Sequence, residues 1–287
     1  MFQTIQNAFK TKEVRMKLLY VLFALIVVRI GCNIPIPGVN GSVMQEMFNN
    51  NKSLGFLDVM TGGSFSRMSI FALNITPYIT ASIILQLLTI AIPRLEELQK
   101  DGEDGRKKIN EYTRYLSIVL AVIEGLAMVI GFRNQNIFKE SGYVSMIVAV
   151  VSLTAGAAFL MWLGEQITVK GVGNGISIVL AVNIVSRIPS DMTTLYENFI
   201  KGKTIAKGML AGVVIFAIIM VVVVFVLILN GAERRIPVQY SKKMVGRKMM
   251  GGQATNIPLK VNTAGVIPII FASSIMSFPG VIAQFAG

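Results

Sequence analysis

The sequence predicts an all-α, polytopic membrane protein, and three observations carry that prediction. Hydrophobic residues make up 53% of the 287 positions, where soluble globular chains average about 45–50%. Charged residues are 15%, against about 25% in soluble chains. The apolar residues are gathered into long runs, and in lipid the backbone must satisfy its own polar groups, so the runs read as helices.

Seven runs stand out, at 18–34, 69–92, 116–132, 144–163, 176–188, 208–229 and 264–283. The fifth is short and counts as a span because its neighbours have to be connected. The first follows Lys10, Lys12, Arg15 and Lys17 and ends near Cys32. A lipoprotein signal has that outline, but it needs an aliphatic residue where Arg29 stands, so an uncleaved first helix is predicted. With the N-terminus in the cytoplasm, more than twice as many Lys and Arg fall inside as outside, which supports that orientation. Arg29 lies near the outer end of its helix, where it can snorkel outward, and reads as structural.

The net charge is +12. Nucleic-acid binding would use such a charge, but the cations sit in loops beside spans, where they read as topology signals. The chain has no histidine, which excludes a His-based triad, a His-ligated zinc and the usual proton shuttle. Cys32 is the single cysteine, so no intrachain disulfide forms. Paired carboxylates, a nucleophile elbow and metal-ligand spacing are all missing. Glu165 falls at the inner end of the fourth span and reads as a solvated helix end. Glu124 falls inside the third span, where a lone carboxylate can pair with a neighbouring helix. The glycines of "GVGNG", 171–175, follow a span rather than a strand. They read as a tight turn and not as a dinucleotide fingerprint.

Two polar connections are longer than turns. The external one, about 35–68, also carries Leu54, Phe56, Leu57, Val59 and Met60. The cytoplasmic one, about 230–263, clusters cations that would attract an acidic partner or anionic lipid. Connections of that length are usually functional or disordered.

The stretch "FALNITPYITASIILQLL", 71–88, places Pro77 at the head of an apolar run. Proline removes a backbone donor and clashes with the preceding turn. Broken backbone at membrane depth is tolerated only when buried in protein or facing water. Gly62, Gly63 and Arg67 lie upstream. Together these residues predict a half-helix that re-enters from outside and plugs, followed by a half-helix that spans.

The motifs "SIFALNITPYITASIILQLL", "MWLGEQIT", "GNGISIVLAVNIV", "IPIPGV", "GEDGRKKINEYTRY" and "LKVNTAGVIPIIFASSIMSFP" resemble the SecY family, the central subunits of the bacterial protein-conducting channel. The resemblance covers the whole chain in order. It implies ten helices in two pseudo-symmetric halves of five, of which this chain carries the first half, 1–190, and the start of the second, 191–287. The chain then looks truncated, ending in or just after the seventh helix.

The resemblance also implies roles. Residues 54–73 match a plug, with Phe56, Leu57, Met60, Gly62, Gly63 and Arg67 in it. Ile75, Ile79, Leu180 and Ile270 match a ring of aliphatic side chains that seals by dewetting yet deforms around a passing chain. Thr80, Ile83 and Phe278 match a side exit toward lipid, with Gln86 and Asn262 as a polar latch across it. The connections at 94–112 and 230–263 match surfaces that meet a SecA-type ATPase or the ribosome. Arg234 and Arg235 are the matching cations, and Lys242, Lys243, Arg247 and Lys248 extend them. The implied function is passage of unfolded preproteins, recognised by signal sequences, across the cell membrane, with apolar segments released into membrane lipid. SecE- and SecG-type small membrane subunits are the implied companions; no cofactor and no enzymatic step is implied.

Two positions depart from the family pattern, which has glycine where Asn74 and Asn183 stand. The expectation is that one or both line the funnel and partly hydrate the gate. The rival reading is a secondary transporter with broken helices, which would place charged or coordinating side chains beside the break. A structural or insertase-like scaffold would need no plug.

Overall fold

The computed structural model describes residues 10–41, 43–44, 58–59, 61–133, 137–138, 142–201, 205–238, 243–245, 248–250, 255–263, 265 and 272. The chain divides into two compact units, Met1–Ser190 with Ser274–Gly287 and Asp191–Ser273.

The first unit begins with helix α1, Lys12–Gly31. Its apolar stretch lies between Lys17 and Arg29, shorter than the roughly 20 residues a bilayer core asks of a straight helix. The expected second span starts later than its apolar run. Helix α2 is Thr76–Ala91, with Pro77 in its first turn, where a missing N–H costs nothing and the fixed φ suits the helix. Pro93 opens the short helix α3, Pro93–Lys100, bent from α2 by 103°. Gly102, at φ +75, then breaks the chain into α4, Gly102–Gly131. The expected 94–112 loop is therefore helical. Its Glu, Lys and Arg residues are good helix formers, and Lys100 bonds Glu96 one turn away.

Helix α5, Tyr143–Lys170, is joined to α6, Gly175–Phe199, through the glycine-rich stretch. The "GVGNG" run makes the turn. Asn174 Oδ1 accepts from the amides of Ile176 and Ser177 at 3.1 and 3.3 Å, capping α6, and Thr168 Oγ1 accepts from Gly175 N at 2.8 Å. Helix α6 overruns the expected end of the fifth span and contains Pro189.

Two cores hold the first unit together. Ala24, Val28 and Cys32 of the α1 end pack with Phe71, Ile75, Leu160, Leu163, Ile167 and Val179. A second core gathers Ile36, Val39, Met68 and Leu73 against α4 and α5, through residues such as Met128 and Leu153.

The second unit holds α7, Ile205–Gly231, whose apolar side chains are exposed nearly all round. The 230–263 connection, expected without regular structure beyond its charge, forms two antiparallel ribbons. Strand β1, Glu233–Val238, pairs with β4, Thr255–Lys260, in the register Arg234 to Leu259 and Arg235 to Pro258. Between them β2, Lys243–Val245, pairs with β3, Lys248–Met250. Pro237 and Pro258 are tolerated because each strand of a two-stranded ribbon has a free edge.

Helices α4, α5, α6 and α7 are long and apolar enough to cross a membrane, and the bent α2–α3 pair makes a fifth if it is one span.

Candidate functional site

The break before α2 is built differently from the expected re-entrant half-helix. Residues 61–75 form consecutive turns, with no helix among them. The backbone explains this: Gly62, Gly63, Met68 and Asn74 have φ of +67, +83, +46 and +54, which a right-handed helix cannot contain. Asn is among the few non-glycine residues that visit this region readily, so Asn74 holds the break where the family pattern has glycine.

The turn segment is locked to its surroundings by backbone bonds. Ile36 N donates to Met68 O and Ile70 N donates to Ile34 O, both at 3.0 Å, and Pro35 and Ser69 form an isolated antiparallel bridge between them. Two helix glycines admit the segment at close range. A Cβ on Gly156 of α5 would lie 2.0 Å from Ile70 O, and one on Gly31 of α1 would lie 2.0 Å from the Phe71 ring.

At its outer end, the segment is organised by Asp58. Ser66 N donates to Asp58 Oδ1 at 2.8 Å, and Gly63 N to Asp58 O at 2.9 Å. Asp58 Oδ2 lies 2.5 Å from Arg187 Nη1 of α6. Asp58 is 2% exposed. A carboxylate so enclosed requires this pairing and the amide bond together.

Nearby, Arg29 Nη1 donates to Asn183 Oδ1 at 3.3 Å, and Asn183 Nδ2 donates to Asn74 Oδ1 at 3.1 Å. Both asparagines are buried, at 2% and 1% exposure. The expectation that they line a funnel and hydrate the gate meets a different arrangement: both amides are enclosed in protein, and Asn183 bonds Arg29 and Asn74. Arg29 likewise turns onto α6 instead of snorkelling outward. Arg67, exposed, bonds the Asn33 side chain.

The predicted ring residues sit just below. Ile75 is 1% exposed in the core with Val179, and Ile79 and Leu180 are half-buried. Ile270 lies outside the described residues, as do Phe56, Leu57, Met60, Lys242, Arg247 and Phe278. On α2, Ile83 is buried, Thr80 half-buried and Gln86 exposed. Asn262 is engaged in its own unit, donating to Asn230 Oδ1 and accepting from Gly265 N, both at 3.0 Å. Arg234 and Arg235 are exposed on β1, and Lys243 and Lys248 lie on β2 and β3. Elsewhere, Arg114 Nε bonds Glu165 Oε1 at 2.7 Å, so Glu165 is a paired helix end. Among the described residues no metal-binding cluster occurs.

Sequence reasoning missed Asp58 and Arg187. Asp58 looked like an ordinary charge of the external connection and Arg187 like one at the end of the fifth run, and nothing in the spacing pairs them.

A bundle of apolar helices, one of them preceded by a hydrogen-bonded turn segment buried in protein, defines a polytopic membrane protein. A family model described as SecY matches residues 69–287. The protein translocase subunit SecY of Streptomyces scabiei is 44% identical over 301 residues, covering 100% of this chain and 68% of that protein. Its counterpart in Halalkalibacterium halodurans is 45% identical over 293 residues with the same coverage.

Among solved structures, one described as a protein conducting channel superposes with TM-score 0.63 at 19% identity, covering 94% of this chain and 58% of that one. Sec61 in a canine ribosome–channel complex gives 0.61 at 19% identity, with the same coverage. A third, at TM-score 0.59, 19% identity and again the same coverage, is described by a SecY plug domain that stabilises the closed translocation channel and maintains a membrane seal. The chain belongs to the SecY family of protein translocase subunits. It spans 68% of the length of these curated relatives and 58% of these solved channels.

Proposed function

We propose that this chain supplies the closed gate of a protein-conducting channel in the cell membrane, through which unfolded preproteins pass and from which apolar segments leave sideways into lipid. The observation that carries the reading is the break itself. It is lined by Ile75 and Ile79 and covered by a turn segment packed into protein, and α2 carries no charged side chain along its whole length. A secondary transporter would need such groups there.

In this reading residues 58–59 and 61–73 are the described part of the plug. Ile75, Ile79 and Leu180 are ring members, with Ile270 as a fourth. Thr80, Ile83, Gln86, Asn262 and Phe278 border the side exit. An aliphatic ring excludes ions by dewetting and still yields to any side chain, because it offers no fixed polar contact. The protein does no chemistry of its own, so movement is driven by a SecA-type ATPase or by the ribosome. Arg234, Arg235 and the cations of β2 and β3 would meet those partners electrostatically. The N-terminus is cytoplasmic, as the charge bias predicts, and SecE- and SecG-type subunits cover helix faces toward lipid.

The test is site-specific photocrosslinking in the full-length protein within its membrane complex. A preprotein stalled during passage should crosslink to probes at Ile79 and Leu180 and leave a probe at the exposed Trp162 unlabelled. Equal labelling at all three, or none at Ile79, would refute the reading.

A further inference from the structure

We infer that the Asp58–Arg187 ion pair is the releasable clasp of the closure, whereas the Asn74–Asn183 pair is its fixed hinge. This rests on the reading of the turn segment as a mobile plug.

The two pairs bind different parts of that segment to the same helix, α6. Asn74 stands at the C-terminal end of the turns, one residue before the Ile75 cap of α2. Its amide is tied to Asn183, which Arg29 of α1 also holds. This end is anchored to three helices, α1, α2 and α6, and has little freedom to leave. Asp58 stands at the other end. Its ties are of two kinds. The bonds from Ser66 N and Gly63 N shape the turn from within and travel with it. The bond to Arg187 is external and is lost when the turn leaves α6.

One carboxylate therefore both folds the turn and fastens it. Breaking the external contact leaves the internal one in place, so the turn can move as a preformed body. Arg187 remains on α6 with its side chain 26% exposed, able to gain water once the carboxylate is gone. An enclosed pair that separates into an arginine reached by water and a carboxylate still bonded to the Ser66 amide opens less expensively than a pair stranded in apolar surroundings.

The packing agrees with this division. Gly62 sits directly on α6: a Cβ there would lie 2.8 Å from Asn183 O and 3.0 Å from Arg29 Nη1. Gly63 faces Arg187, with its Cβ position 3.4 Å from Nη1. The turn thus approaches α6 at Gly62, at Gly63 and through the Asp58–Arg187 pair. At those glycines the turn has no side chain to withdraw from α6; its own core side chain, Met68, packs in the second core instead. By contrast, Phe71, Leu73 and Ile75 at the hinge end are embedded in the two cores.

The experiment is resting ion conductance of the full-length protein in its complex, reconstituted in planar bilayers. Four proteins are compared with wild type: Asp58→Asn, Arg187→Gln, the double variant, and a deletion of 61–68. Asp58→Asn keeps an acceptor for Ser66 N and removes only the charge, so it preserves the turn. The clasp predicts that each single variant raises resting open probability about tenfold. It also predicts that the double variant equals the singles instead of multiplying them. Multiplicative effects, or an unchanged Asp58→Asn, would overturn the clasp. The deletion separates the two readings. A leak on deletion with a silent Asp58→Asn sinks the clasp alone, whereas no leak on deletion sinks the plug beneath it.

Discussion

Asn183 donates its Nδ2 hydrogen to Asn74 Oδ1 at 3.1 Å, joining the middle of α6 to the break before α2. The two side chains bond one another directly, and Arg29 holds Asn183 from α1. Replacing Asn183 by Ala leaves the Asn74 amide enclosed without that partner. An unsatisfied buried polar group costs about 1–3 kcal/mol, and at about 2 kcal/mol the apparent Tm should fall by roughly 4–8 °C. Asn74→Gly loses the same bond and keeps the φ of +54 without strain. Asn74→Ala loses the bond and adds about 1 kcal/mol of left-handed strain. Thermal unfolding of the detergent-solubilised protein should therefore rank Asn74→Gly above Asn74→Ala, and the opposite order would contradict the assigned conformation.

Gly156 and Gly31 both admit the turn segment, but the obstacles they face differ. The Gly156 position meets the Ile70 carbonyl, which is backbone, while the Gly31 position meets the Phe71 ring. A ring can swing in its rotamer well and a fixed carbonyl cannot. Gly156→Ala should cost about 2–4 kcal/mol, in the upper range of overpacking effects, and Gly31→Ala about half of that. Comparing unfolding temperatures of the two variants checks the difference; equal losses would mean that the segment is not held at Ile70.

Arg234 and Arg235 lie exposed on β1, paired across the ribbon with Leu259 and Pro258 rather than with acids. Changing both to Glu should leave the ribbon folded, since neither side chain is buried. Binding to ribosomes, measured at several salt concentrations, should weaken at least tenfold at low salt, and the slope of log affinity against log salt should flatten by about 2. An unchanged slope would exclude these two cations from the contact.

The broad architecture was legible because its causes are local. Apolar runs dictate helices, and Pro77 marks the start of α2 because a proline is best tolerated in a helix's first turn. The error at 61–75 arose because an apolar, plug-like stretch was given the helical conformation of its neighbours. Met68 and Asn74 at positive φ came from tertiary bonds to Ile34, Ile36 and Asn183, which composition does not reveal. The ends of α6 and α4 were misplaced for a related reason: charged or polar flanks lower hydropathy without ending a helix. The ribbons at 233–260 were hidden because their pairing is long-range and their strands carry prolines. Asp58 with Arg187 was the hardest to see, since two opposite charges far apart in sequence give no sign that they meet.

The bonds from Ile36 N to Met68 O and from Ile70 N to Ile34 O cross between the turn segment and the strand-like stretch before it. Neither amide belongs to a helix, and each would be released to solvent by a lift of the segment. In deuterated buffer these two protons become a clock. Their exchange rate counts gate openings in a protein that carries no probe, and the isotope taken up by Ile36 and Ile70 records how often the closed state lets go.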